Sequence, residues 1–217
     1  MIMSNYENRP CLRAGLYLVM TRPRDGYERL CSWAVEAGVA AVQLRTKGHD
    51  ENKHLAVARR LRALTAGSET LFIVNDRIDI ALEADADGLH LGQDDLPAHE
   101  ARRRLGPHKL LGLSTHNLAQ VEQANQCPID YIGFGPLYAT TSKLRPDPIV
   151  GPELLEQACK LSRHSVVAIG GLDAERIRQL GRGAHNVAVI RAAADADDPL
   201  TSMRILQTSF LNITKNQ

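Results

Sequence analysis

Eight short apolar runs punctuate the chain, and an amphipathic stretch follows each one. The runs are GLYLVMT (15–21), VAAVQLR (39–45), TLFIVND (70–76), GLHLG (88–92), LLGLST (110–115), YIGFG (131–135), SVVAIGG (165–171) and NVAVIRA (186–192). Segments such as GYERLCSWAVEAG and DENKHLAVARRLRALTAG space apolar residues three and four apart and end in Gly, the signature of a helix with its stop. DLPAHEARRRLG adds a Pro near its first turn. THNLAQVEQANQ, VGPELLEQACKLSRH, LDAERIRQLGRG and DPLTSMRILQTSF continue the pattern, and IDIALEAD is its shortest member. Strict alternation of strand and helix requires parallel strands covered on both faces. Eight such units in 217 residues predict an α/β fold, the (β/α)8 TIM barrel. The competing arrangement is a doubly wound open sheet. In its nucleotide-binding form that would carry a glycine-rich fingerprint after the first strand, and VMTRPRDG is not one. No linker or composition shift marks a second domain, so residues 1–217 read as one barrel domain, with residues 1–13 as a loosely held tail.

Composition narrows the function classes. A net charge of +1 gives no field to attract nucleic acid or an acidic surface, and 4% aromatics leave little to stack on single-stranded bases. Cys11, Cys31, Cys127 and Cys159 are far apart and form no CxxC pair, which argues against a zinc site or disulfide framework and for a reducing cytoplasm. The opening MIMSNYENRPCLRAG lacks an apolar stretch of signal-peptide length, and no run is long enough to span a membrane.

Barrel chemistry gathers at the C-terminal ends of the strands, and here those ends are polar. In QLRTK, the residues Gln43, Arg45 and Lys47 alternate, so they share one strand face while Val42 and Leu44 take the other. Two cations and an amide at a barrel mouth would clamp an oxyanion. The third strand ends in Asn75-Asp76 and the fourth runs into GQDD, residues 92–95. Carboxylates on neighbouring strand ends suit a hard cation such as Mg²⁺, which binds one or two carboxylates plus phosphate oxygens and water. The blander reading makes Asp76 and Asp95 helix caps, and Asp94 competes with Asp95 for either role. Ser114 could hydrogen-bond a phosphate or cap the next helix, and His116 could transfer a proton. The loop GPLYATTSKLRPDP offers Thr140, Ser142, Lys143 and Arg145 to anions, and Gly170-Gly171 could cradle a phosphate or simply make a tight turn. No nucleophile with an adjacent base appears. Anion clamps without a nucleophile suit substrates that bring their own phosphate and their own nucleophile.

The motifs VQLRTK, VNDR, GLHLGQDD, GLSTH, GPLYATTSK and AIGG, in this order and spacing, resemble the thiamin phosphate synthase (thiamin-phosphate pyrophosphorylase) family from about Gly15 to Ala193. The resemblance implies a (β/α)8 barrel that joins hydroxymethylpyrimidine diphosphate to hydroxyethylthiazole phosphate with release of pyrophosphate. It implies Mg²⁺ held by Asp76 and Asp95. Gln43, Arg45 and Lys47 would hold the pyrimidine diphosphate and Asn75 the pyrimidine. Ser114 and Lys143 would touch the diphosphate. Thr140, Ser142, the Gly171 amide and the Ile190–Arg191 segment would meet the thiazole phosphate. Of these, Arg45, Lys47, Ser114 and Lys143 would act in catalysis. The implied chemistry is dissociative: the C–O bond breaks first, and the thiazole nitrogen then attacks a pyrimidine-stabilised cation.

Two departures stand near the eighth strand. GAHNVAVIRA has His185-Asn186 where the family reads Asp-Gly, and Arg191 where it has serine. The expectation is that Arg191 faces inward and replaces the serine's contact. The related thiazole tautomerases are one alternative, and a non-catalytic barrel binding a thiamin precursor is another. The expected partners are small-molecule substrates, not nucleic acid or membrane. Any homodimer contact is expected on the N-terminal face or the outer helices.

Overall fold

In the computed structural model, which describes residues 10–46, 51–140, 147–181 and 183–215, strands and helices alternate along the chain. They run β1 (Gly15–Met20), α1 (Tyr27–Glu36), β2 (Ala41–Leu44), α2 (Glu51–Thr65), β3 (Leu71–Asn75), α3 (Ile78–Glu83), β4 (Gly88–Leu91) and α4 (Ala98–Leu105). The second half adds β5 (Leu110–Thr115), α5 (Leu118–Ala124), β6 (Tyr131–Phe134), α6 (Glu153–Leu161), β7 (Ser165–Ile169), α7 (Ala174–Arg178), β8 (Asn186–Val189), α8 (Arg191–Ala194) and α9 (Pro199–Lys215). The strands close into an all-parallel barrel in sequence order, with Gly15 to Leu18 of β1 paired to Asn186 to Val189 of β8. The short α8 was not foreseen. It occupies RAAA, where the sequence pattern extends the eighth strand to Ala192.

Period-two alternation sorts the strand residues into two cores. Leu16, Leu18, Met20, Val42, Leu44, Val187 and Val189 pack outward against the helices. Tyr17, Val19, Ile73, Tyr131, Val167 and Ala188 fill the barrel interior. Among the described residues no helix is long and apolar enough to cross a membrane.

The expected loose tail does not extend to residue 13. Leu12 is buried and joins the interior cluster at the N-terminal end of the barrel. The Arg13 guanidinium donates to the Gly38 and Val39 carbonyls. His185 and Asn186 hold the same segment. His185 Nε2 lies 2.8 Å from the Leu12 carbonyl, and Asn186 Nδ2 donates to the carbonyls of Arg13 (2.8 Å) and Gly15 (3.1 Å). Both residues stand at the start of β8, the opposite end from the strand C-termini. Their departure from the family pattern therefore fastens the chain's entry into the barrel.

Candidate active site

A cavity of about 460 Å³ opens at the C-terminal ends of the strands. It brings together Gln43, Arg45, Asn75, Ser114, Thr140, Gly171, Ile190 and Arg191, eight of the expected site residues. Lys47, Ser142 and Lys143, with Arg145 beside them, lie outside the described residues. Asp76 and Asp95 flank the cavity in sequence but do not line it.

Strand β2 delivers Gln43 and Arg45 as its alternation requires. Gln43 is buried, and Arg45 Nη1 is buried without a hydrogen-bond partner among the described residues. A buried guanidinium nitrogen without a partner carries a desolvation cost that an acceptor would offset.

The residues that sequence reasoning missed are Tyr17, His90 and Tyr131. Gln43 Nε2 donates to the Tyr17 hydroxyl at 2.8 Å, and that hydroxyl lies 3.0 Å from the Tyr131 hydroxyl. Tyr131 reaches His90 Nδ1 at 3.2 Å, and His90 Nε2 reaches Ser114 Oγ at 3.0 Å. The His90 and Tyr131 rings stack with centroids 5.5 Å apart. Gly112 makes the room, because a Cβ there would sit 2.2 Å from the Tyr131 ring. Burial raises both phenol pKa values above their ordinary range, so Tyr17 and Tyr131 stay protonated. The available signal was inward alternation: Tyr17 and His90 fall on the interior face of apolar strands, where a polar group needs a partner.

The capping alternatives fail for the carboxylates and for Ser114. Helix α3 has Arg77 and α4 has Pro97 at the N-cap, neither with a side-chain cap bond. Helix α5 is capped by Asn117, whose Oδ1 accepts from the Gln120 amide. Ser114 does not cap that helix; it lines the pocket, with Oγ 3.0 Å from His90 Nε2. Asp76 adopts φ 63°, a left-handed conformation uncommon outside glycine that clusters at functional sites. One oxygen of Asp95 accepts the Gly92 amide at 2.6 Å. Among the described residues no three His, Cys, Asp or Glu side chains form a metal cage. Asp76 directly follows β3 and Asp95 lies four residues beyond β4, its neighbour in the barrel; carboxylates are the ligand type that Mg²⁺ takes in ones and twos beside phosphate and water.

The late strands build the rim from backbone. The Leu137 amide donates to the Ile169 carbonyl and the Tyr138 amide to that of Gly170, so the chain leaving β6 runs along the end of β7. A Cβ on Gly170 would meet Pro136 Cα at 2.4 Å, and one on Gly171 the Ala139 carbonyl at 2.6 Å. Close backbone approach accounts for the glycine pair. Arg176 pins the rim, donating to the Gly171 carbonyl at 2.5 Å while stacking 4.7 Å over Tyr138. His116 places Nδ1 2.6 Å from the Gly135 carbonyl and Nε2 3.6 Å from Asp147.

Arg191 corrects the inward expectation. Strand β8 stops at Val189, and Arg191 begins α8 on the pocket rim, with its side chain 60% exposed and Nε donating to Asp195 at 2.8 Å. Alternation also puts Val187 and Val189 on the outer face and Ala188 inside, so the interior register falls to Ile190.

Fold and pocket together define a (β/α)8 barrel with a concave pocket at its strand C-termini, lined by Arg45 with its buried Nη1. The family model for thiamine monophosphate synthase matches residues 16–193. A thiamine-phosphate synthase of Synechococcus sp. is 47% identical over 204 residues, covering 90% of this chain and 57% of that protein. One from Vibrio campbellii is 39% identical, covering 88% of this chain and 95% of that protein. The structure of thiamine phosphate pyrophosphorylase from Pyrococcus furiosus superposes with a TM-score of 0.85 at 29% identity, covering 93% of this chain and 98% of that one. The chain belongs to the thiamine monophosphate synthase family. It spans little more than half the length of several curated relatives, 57% of the Synechococcus protein among them. A 3-hexulose-6-phosphate synthase, 15% identical with a TM-score of 0.67, shares the fold alone.

Proposed function

We propose that this chain condenses hydroxymethylpyrimidine diphosphate with hydroxyethylthiazole phosphate to give thiamin phosphate and pyrophosphate. The observation that carries the proposal is Arg45, a pocket cation whose buried Nη1 lacks a partner among the described residues. Family membership supplies the substrates. In the proposed reaction the C–O bond between the pyrimidine methylene and the diphosphate breaks, and its electron pair leaves with pyrophosphate. The thiazole nitrogen then uses its lone pair to form the C–N bond. No enzyme nucleophile is required, in keeping with the motifs. The protein's part is to orient both substrates and to neutralise charge on the leaving group.

Gln43 and Asn75 would orient the pyrimidine, while Arg45 and Ser114 would receive the diphosphate, joined by Lys47 and Lys143. Thr140, Ser142, Gly171, Ile190 and the rim around Arg191 would take the thiazole phosphate. Asp76 and Asp95 would hold Mg²⁺. When bound, the ion would supply positive charge to the diphosphate oxygens. We place the protein in the cytoplasm and read the barrel as one domain; a homodimer through its outer helices is compatible with that reading.

The test is to incubate the chain with both substrates and Mg²⁺ and to quantify thiamin phosphate and pyrophosphate. Equal amounts of the two products are expected. A second reading, thiazole tautomerase, draws on His116, which lines the pocket between the Gly135 carbonyl and Asp147 as a proton-transfer group would. Isomerisation of a thiazole carboxylate phosphate, without pyrophosphate release, would favour that reading instead.

A further inference from the structure

Gln43, Tyr17, Tyr131, His90 and Ser114 form an unbroken file of hydrogen bonds across the barrel interior. We propose that this file has a fixed polarity: it holds His90 as the Nε2–H tautomer and leaves the Ser114 hydroxyl proton for an anion in the pocket. Tyr17, Tyr131 and His90 are then positioning residues for Ser114. The proposal rests on the reading of Ser114 as an anion ligand.

The polarity follows from counting protons. A phenol has one hydrogen to give. Tyr17 is buried and touches two polar partners, the Gln43 amide and the Tyr131 hydroxyl. Gln43 Nε2 is the donor in the first contact, so the Tyr17 hydrogen has only Tyr131 to bond. Reversing the second link would strand a buried O–H, at a cost of about 1–3 kcal/mol. Tyr131 has thus accepted from Tyr17, and its own hydrogen goes to its other partner, His90 Nδ1. An imidazole that accepts at Nδ1 carries its proton on Nε2, which donates to Ser114 Oγ. The serine's hydrogen is not consumed by the file, and Ser114 lines the cavity. The opposite polarity would make Ser114 donate to His90 and turn its lone pairs toward the pocket, a poor match for a phosphate oxygen. The polarity is set by the Gln43 amide, four links from the serine.

The experiment reads the tautomer directly. In ligand-free, 15N-histidine-labelled protein, with the His90 resonances assigned by comparison with His90→Gln, Nε2 is expected in the protonated range and Nδ1 in the unprotonated range. A wild-type protein with the proton on Nδ1, or on both nitrogens at neutral pH, would overturn the proposal without reference to any activity. Gln43→Glu replaces the donor at the head of the file with an acceptor and should reverse every link, moving the His90 proton to Nδ1. An unchanged tautomer in a folded Gln43→Glu protein would also overturn it. If thermal melts show that this variant does not fold, the near-isosteric Tyr131→Phe takes its place. It removes the proton delivered to Nδ1 and should shift the population toward Nδ1–H.

The consequence for Ser114 is measured with inorganic pyrophosphate and Mg²⁺ by calorimetry. Tyr131→Phe should weaken binding on the order of tenfold in a wild-type background and hardly at all in Ser114→Ala, because both changes remove one charge-assisted bond. Equal losses in both backgrounds would refute the coupling. Failure of the wild type to bind pyrophosphate would sink the anion reading of Ser114, while the tautomer data still decide the polarity.

Discussion

The two halves of the pocket are built by different means. On the β2–β5 side, side chains do the work: Gln43, His90 and Ser114 project from strands and are linked through the interior hydrogen-bond file, and Arg45 stands just beyond β2 with its Nη1 buried. On the β6–β8 side, backbone does it: residues 136–139 run against Gly170-Gly171, and Arg176 clamps the pair. In the proposed reaction a developing pyrophosphate charge would be best met by donors that need no reorganisation, the role proposed for the first half. The second half is a rim of loops, to which the proposed reaction would assign the other substrate.

The largest effect should come from the side-chain half. Arg45→Ala should lower single-turnover release of pyrophosphate on the order of a hundredfold, since losing one preorganised donor costs about 3 kcal/mol. A drop confined to thiazole phosphate affinity would reverse the roles of the two halves. Next comes Gly170→Ala, which forces a Cβ against Pro136 at φ 108°. Backbone strain of about 1–3 kcal/mol predicts a melting temperature lower by roughly 2–10 °C. An unchanged melt would show that the rim yields easily. Asp76→Asn and Asp95→Asn should each raise the Mg²⁺ concentration needed for half-maximal turnover about tenfold, with melts near that of the wild type. Metal dependence identical to wild type in both would remove these carboxylates from the site. The smallest effect is expected at Arg191. Its exposed pair with Asp195 is worth about 0–1 kcal/mol, so Arg191→Ala should leave the melt nearly unchanged and thiazole phosphate affinity within about threefold. A larger loss of affinity would return the side chain to the phosphate.

The same contrast explains what the sequence disclosed. Strand–helix alternation made the barrel legible, and alternation within QLRTK put Gln43 and Arg45 in the pocket with Val42 and Leu44 behind them. Such periodicities are local and survive without tertiary knowledge. The interior file was not legible, because Tyr17, His90 and Tyr131 come from three strands and meet only when the barrel closes. The turn at Ile190 was missed for a related reason: NVAVIRA reads as one apolar run to Ala192, yet the strand ends three residues earlier, at Val189, by the pocket rim. His185 and Asn186 stood out as a departure from the family pattern near the eighth strand. They fasten Leu12 and Arg13 at the far end of the barrel.

The division of labour is tested most directly by a double dissociation. Inorganic pyrophosphate with Mg²⁺, and separately thiazole phosphate, would be titrated by calorimetry against Arg45→Ala and Thr140→Ala. The account predicts that Arg45→Ala loses pyrophosphate binding but keeps thiazole phosphate affinity, and that Thr140→Ala does the reverse. Equal loss of both ligands in both variants, or the opposite pairing, would contradict it.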